Sequence, residues 1–237
     1  MLTSKSVLVL GGGSEICLKI LDILSSNGAS ITFMCSQNNP KVENLKSQFN
    51  INFYDFKVLD ELVNKQLLYP FDGIVFAGGK GGVRPLKLNN AEFVRTMFHE
   101  NIFTFFELMR LLLKKKLINE GASVVALSSV SSIKGLKSKS VYSASKAALD
   151  GAIRGMAAEL ADKKVRVNSI QKGWVSSDMN LDFIQNNMAL SEENDLNKQL
   201  LGPIQPEEIA QLVQFLLSDN ISTLTGTNIL LDGGYTV

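Results

Sequence analysis

Short apolar runs alternate along this chain with longer stretches in which apolar residues recur three and four positions apart. Val7–Leu10 is an unbroken apolar run that stops at Gly11-Gly12-Gly13. Such a run predicts a strand covered on both faces, as in a parallel sheet. Ser14 stands as an N-cap, and Ile16, Ile20, Leu21 and Leu24 form the stripe of a helix that Gly28 ends. Ile31–Cys35 predicts the next strand. Strand, glycine turn, helix and strand make a βαβ unit, whose crossover is right-handed.

The alternation continues. Val42–Phe49 predicts a helix, Ile51–Tyr54 a strand ending at Asp55, and Leu59–Leu67 a helix. Gly73–Ala77 predicts a strand running into Gly78-Gly79-Lys80-Gly81-Gly82. Ala91–Leu117 reads as one long helix rich in Phe, Leu and Met. Val124–Leu127 is the fifth strand, Tyr142–Leu160 the helix after it, and Val165–Ile170 the sixth strand. Glu207–Leu217 is a helix opened by Pro206, and Asn228–Leu231 a last strand. No repeat or linker-like boundary interrupts the pattern. Residues 1–237 therefore read as a single α/β domain, a Rossmann-type doubly wound sheet of about seven parallel strands with helices on both faces. Ligands of such sheets bind at the carboxyl ends of the strands. Gly11–Gly13, Asp55, Gly78–Gly79, Ser129 and Lys172-Gly173 all fall there.

Composition narrows the partners. Lys plus Arg number 24 against 23 Asp plus Glu, a net charge of +1, so nothing points to nucleic acid or an anionic membrane. One histidine, His99, and two separated cysteines, Cys17 and Cys35, make no metal-ligand cluster and suit a reducing compartment. The apolar run at the N-terminus is too short for a signal segment, and none approaches the ~18 residues that span a bilayer. The expectation is a soluble cytoplasmic protein.

The chemistry concentrates between Val124 and Leu149. A strand pattern empties into Ser128-Ser129, and Tyr142-Ser143-Ala144-Ser145-Lys146 opens an Ala-rich helix. Residues four apart share a helix face, about 5–6 Å apart at Cβ. A nearby ammonium favours phenolate and lowers a tyrosine pKa from about 10. A tyrosine so tuned can exchange a proton with a substrate oxygen. A phosphate at Gly11–Gly13 would meet free N–H groups and the positive end of a helix dipole.

Together these segments resemble the short-chain dehydrogenase/reductase family over nearly the whole chain. Gly11-Gly12-Gly13-Ser14-Glu15-Ile16-Cys17 resembles the family's Gly-x-x-x-Gly-x-Gly turn. Phe76-Ala77-Gly78-Gly79 stands where the family usually has Asn-Asn-Ala-Gly. Asn101, Ser129, Tyr142 and Lys146 match the catalytic tetrad, with Ser128 the competing serine that the spacing to Tyr142 disfavours. Gln171-Lys172-Gly173-Trp174-Val175-Ser176-Ser177 resembles the Pro-Gly-x-x-x-Thr segment along the nicotinamide. The ending, LLSDNISTLTGTNILLDGGYTV, is similar to that of the 3-oxoacyl-[acyl-carrier-protein] reductase branch. Enoyl reductases usually space their tyrosine and lysine more widely.

The resemblance implies carbonyl reduction with NAD(P)H. Tyr142 would be the general acid. Lys146 would lower its pKa and bind ribose, Ser129 would position the substrate oxygen, and Asn101 would bend the long helix and support a proton relay. The cofactor would lie on Gly11, Gly13, Ser14 and Ile16, past Ser36, Asp55 and Phe56, and along Ala77, Gly78 and Gly79. It would then meet Tyr142, Lys146, Gly173, Val175 and Ser177. The second strand ends in Met34-Cys35-Ser36-Gln37-Asn38, without the acid that binds a ribose 2′-hydroxyl, which favours NADP(H) over NAD(H). The implied substrate is a carbonyl compound, most simply a 3-oxoacyl thioester, free or on a carrier protein. The segment Asp178–Gly202 resembles the family's substrate lid, and the Phe and Met stripe from Phe93 to Met109 implies a homodimer or homotetramer.

Departures keep a second reading open. Glu15 and Cys17 replace motif glycines, Phe76 removes a side-chain amide expected at the cofactor groove, and Lys172 replaces a proline with a charge that could meet phosphate. The alternative is a catalytically weak nucleotide-binding subunit or sensor within an assembly.

Overall fold

In a computed structural model, residues 2–35, 50–53, 69–177 and 198–237 are described, residues 50–53 by backbone alone. The strands are β1 (Ser6–Gly11), β2 (Ser30–Cys35), β3 (Asn50–Phe53), β4 (Phe71–Phe76), β5 (Ile118–Ser129), β6 (Arg166–Lys172) and β7 (Asn228–Leu231). They form one sheet in the order β3-β2-β1-β4-β5-β6-β7, every pair parallel. The order reverses beside β1, which opens a crevice at the carboxyl ends of β1 and β4. The helices among the described residues are α1 (Glu15–Ser26), α2 (Ala91–Phe98), α3 (Thr104–Lys114), α4 (Ser140–Glu159) and α5 (Pro206–Leu217). The helices expected over 42–49 and 59–67 lie outside the described residues.

The apolar runs explain the layers. Val7, Leu8, Val9 and Leu10 are all fully buried. Leu8 and Leu10 join Ile74, Phe76, Val124 and Ala126 against Phe105, Leu108 and Leu112 of α3 and Leu149 and Ile153 of α4. Val7 and Val9 join Val75, Val125 and Leu127 on the other face, against Ile20 and Leu24 of α1 and Ile209 and Val213 of α5. Alternate side chains thus serve opposite cores, as the two-residue period of a strand requires.

Two terminal devices hold the helices in place. The Ser14 hydroxyl accepts from the Cys17 N–H at 3.3 Å and caps α1. Gln205 and Glu208 close a capping box around Pro206 at the start of α5.

The long helix expected over 91–117 is not continuous. Residues His99–Phe103 form a π-helical segment between α2 and α3. The Thr104 N–H and hydroxyl both donate to the His99 carbonyl, the hydroxyl at 2.8 Å, which satisfies the five-residue spacing of a π turn. Asn101 lies inside that widened turn and is fully buried.

Candidate active site

A cavity of about 590 Å³ opens at the carboxyl ends of β1, β4, β5 and β6. Its size is that of a site for a small ligand or part of a cofactor. At one end lie Gly13, Ser14, Glu15 and Ile16; Ala77, Gly78 and Gly79 form one wall. Asn101, Ser129, Tyr142 and Lys146 surround the other end, near Gly173 and Ser177.

Gly11 and Val175 support the cavity from outside its lining. A Cβ on Gly11 would lie 2.7 Å from the Cys17 sulfur, so this glycine permits β1 and α1 to meet. Val175 is buried and bridges to Ile204. Ser36, Asp55 and Phe56, expected at the adenine half of a cofactor, lie outside the described residues.

Asn101 ties the site together. Its Oδ1 accepts from the Lys80 N–H at 2.9 Å, and its Nδ2 donates to the Lys80 carbonyl and to the Ser145 hydroxyl, both at 3.0 Å. Gly79 is drawn tight beside it, with φ +139°. A Cβ there would sit 2.5 Å from Asn101 Oδ1 and 3.1 Å from Lys146 Nζ.

Of the two candidate serines, Ser129 lines the cavity; Ser128 is fully buried, does not line it, and its hydroxyl has no hydrogen-bond partner among the described residues. The Ser129 hydroxyl accepts from the Ser131 N–H at 3.1 Å and lines the same end of the cavity as the Tyr142 phenol. Lys146 donates from Nζ to the Leu127 carbonyl at 2.9 Å.

The electrostatics correct one expectation. Burial pushes the Tyr142 phenol above its usual value of 10.0, with the Ser129 hydroxyl pulling the other way. Lys146 is not among the causes of that shift and is itself driven down to about 7. Burial is the main cause, the like charge of Lys172 adds to it, and Asp150 opposes both. Lys172, partly buried at the cavity, is pushed down to about 8 by burial and then by the like charge of Lys139.

One substituted position does not act where the sequence suggested. Phe76 points into the core rather than the groove, fully buried with its ring centroid 5.1 Å from that of Phe105. Lys172 lies away from the glycine turn; it is the register partner of Ser129 on the neighbouring strand. Cys17 fills the space of the motif's last glycine, and burial raises its thiol pKa strongly.

Sequence reasoning missed Gln199. Its side chain accepts from the Trp174 N–H at 2.9 Å and donates to the carbonyls of Trp174 at 3.1 Å and Gly202 at 2.6 Å. A Cβ on Gly173 would come within 2.5 Å of Gln199 Oε1, so the glycine allows this latch to form. A glutamine in a polar, Asn-rich stretch carries no periodic signal that could have revealed it.

The glycine-turn end of the cavity suits the phosphate of a nucleotide cofactor. Gly12 faces open space, with nothing within 4 Å of an added Cβ. The capped start of α1 offers backbone N–H groups and a favourable dipole at the same end. Over residues 16–236 the sequence matches the family model described as enoyl-(acyl carrier protein) reductase.

The chain belongs to the short-chain dehydrogenase/reductase family.

Short-chain dehydrogenase/reductases are oxidoreductases that bind a nicotinamide cofactor. A cyclohexanol dehydrogenase from an Acinetobacter species is 29% identical over 263 residues, with 98% of this chain and 95% of its own covered. An L-xylulose reductase from Caenorhabditis elegans is 28% identical over 252 residues, covering 98% and 96%. Among solved structures, BdcA in complex with NADPH superposes with a TM-score of 0.85 at 25% identity, covering 98% of this chain and 94% of that one. Among the described residues no helix is long and apolar enough to cross a membrane, and no group of three or more His, Cys, Asp or Glu could hold a metal ion.

Proposed function

We propose that this chain is a ketoreductase that uses NADP(H) to reduce the carbonyl of a 3-oxoacyl compound. The observation that carries the reading is the meeting of Ser129, Tyr142 and Lys146 at one end of a single cavity. A bound nicotinamide supplies the hydride. Burial keeps the phenol protonated at neutral pH, the form needed to give a proton to a carbonyl oxygen. Ser129 holds that oxygen beside the phenol. Lys146 binds ribose and, when protonated, steadies the phenolate left behind. Asn101 keeps the 79–80 turn against Lys146, and the second lone pair of its carbonyl remains for a relay water.

The one-turn spacing of Tyr142 and Lys146 supports a carbonyl rather than an enoyl substrate, and the C-terminal stretch supports the 3-oxoacyl class. The missing acid after β2 supports NADP(H). NADPH in BdcA belongs to that protein but agrees with the preference. The exposed rings of Phe103 and Phe106, at 56% and 47%, support a homo-oligomer built on this helix face. The deciding experiment is turnover of an acetoacetyl thioester with NADPH and with NADH. Consumption of NADPH that depends on the thioester, at a lower KM than NADH, is expected. Cofactor binding without turnover of any 3-oxoacyl compound would favour the sensor reading instead.

A further inference from the structure

We propose that Lys172 and Lys139 form an anion site at the substrate end of the cavity, so that the preferred substrate is a short oxo acid whose carboxylate they bind. The inference rests on the ketoreductase reading for the reaction but not for the anion site itself.

Placement carries the argument. Ser129 and Lys172 are register partners at the ends of β5 and β6. Neighbouring strands lie ~4.8 Å apart, and register partners in a parallel pair send their side chains to the same side of the sheet. Lys172 is therefore the cation beside the serine that would hold the reacting oxygen. Lys139 borders the same cavity next to the start of α4, with its Nζ 4.7 Å from the centroid of the Trp174 ring. Trp174 gives the site an apolar wall.

Charge agrees with placement. Lys80, Lys139, Lys146 and Lys172 all border the cavity, whereas the one acidic residue among its described lining, Glu15, sits at the glycine turn. Asp150, the carboxylate nearest Lys146 in effect, is already held by the Ser169 hydroxyl at 3.0 Å and the Gln171 amide at 2.7 Å. Among the described residues the Lys172 ammonium has no hydrogen bond and no ion pair, while the like charge of Lys139 bears on it. Buried charges are normally paired. A carboxylate between Lys172 and Lys139 would supply Lys172 with a counter-charge that none of the described residues gives it. It would also relieve the repulsion that Lys172 exerts on Lys146, so that binding an anion raises the protonated fraction of Lys146 when the phenolate needs it.

Two measurements test this. The first compares reduction of acetoacetate with reduction of its methyl ester and of a neutral acetoacetyl thioester, using NADPH. The second measures binding of butyrate and of butyramide, which have no ketone to reduce, by calorimetry. The wild-type chain should favour acetoacetate over the ester in kcat/KM and butyrate over butyramide in affinity, each by about tenfold or more, the scale of one well-placed charge pair. Lys172→Met should remove at least tenfold of each ratio, Lys139→Met a smaller part, and Lys172→Arg should restore most of it. Circular dichroism confirms that each variant is folded. Selection of butyrate that Lys172→Met abolishes, without turnover of acetoacetate, would sustain the anion site and defeat the ketoreductase reading. Equal use of acid and ester, with butyrate and butyramide bound alike or the ratios unchanged by Lys172→Met, would overturn the anion site and leave the ketoreductase reading standing.

Discussion

The amide of Asn101 donates to the Ser145 hydroxyl at 3.0 Å, joining the π-helical segment to the helix that carries Tyr142 and Lys146. The same side chain grips Lys80 through both its N–H and its carbonyl. Removing it breaks the part-buried hydrogen bonds of the Lys80 N–H and carbonyl and takes one of two partners from the buried Ser145 hydroxyl, at ~1–3 kcal/mol for each group left unpaired. Asn101→Ala should therefore cost about 2–4 kcal/mol in total, because water can reach the cavity side and relieve part of the loss. In a protein of this size that lowers Tm by roughly 5–15 °C. Differential scanning fluorimetry would read it, and an unchanged Tm would show that the latch is replaceable.

Tyr142→Phe isolates the proton donor. The substitution deletes one hydroxyl while leaving the ring in place. If Tyr142 is the general acid, kcat/KM should fall by about two orders of magnitude or more. NADPH affinity, followed by fluorescence, should change far less. A variant that turns over within a few-fold of wild type would take Tyr142 out of the role.

The sheet and the placing of Ser129, Tyr142 and Lys146 were legible because each rests on local pattern. Fully apolar runs such as Val7–Leu10, ended by a glycine turn, suit a strand buried on both faces, and a four-residue spacing fixes a common helix face. The π turn was not legible. One extra residue per turn at His99–Phe103 barely disturbs the apolar stripe, so the segment reads as plain helix. Nor was the depressed pKa of Lys146. Spacing put an ammonium beside a phenol, but the sign of the effect depends on burial and on Lys172, which only the pairing of β5 with β6 brings near. Phe76 misled for a related reason: the sequence shows which strand it ends, not which face it takes.

Gly79 allows no side chain. Its φ of +139° is a backbone conformation that residues with a Cβ rarely adopt, and the added carbon would meet Asn101 Oδ1 at 2.5 Å and Lys146 Nζ at 3.1 Å. Gly79→Ala should displace the 79–80 turn and loosen the latch at once. A loss of about 1–3 kcal/mol in stability from backbone strain is expected, with a fall in kcat/KM of about tenfold or more as the cavity wall shifts. Gly81→Ala is the control, since nothing lies within 4 Å of a Cβ at that position. Equal effects of the two substitutions would show that general loop flexibility, not close approach, sets the need for glycine.

The two lysines also set how stability depends on pH. Lys146 falls from 10.5 in the unfolded chain to about 7 in the folded one, and Lys172 from 10.5 to about 8. Between about 7 and 10.5 the unfolded chain therefore binds more protons than the folded chain, and stability rises with pH across that window. Tyr142 works in the opposite sense. Its folded value lies above 10.0, so beyond that pH the unfolded chain loses its phenolic proton first and stability declines. Urea denaturation at about pH 6.5, 8 and 9.5 should show increasing stability. Lys172→Met should flatten the rise twice over: it removes its own contribution, and by deleting a like charge it lets the folded Lys146 hold its proton to higher pH. A wild-type chain whose stability falls from about pH 7 to 9.5 would contradict the burial of both ammonium groups.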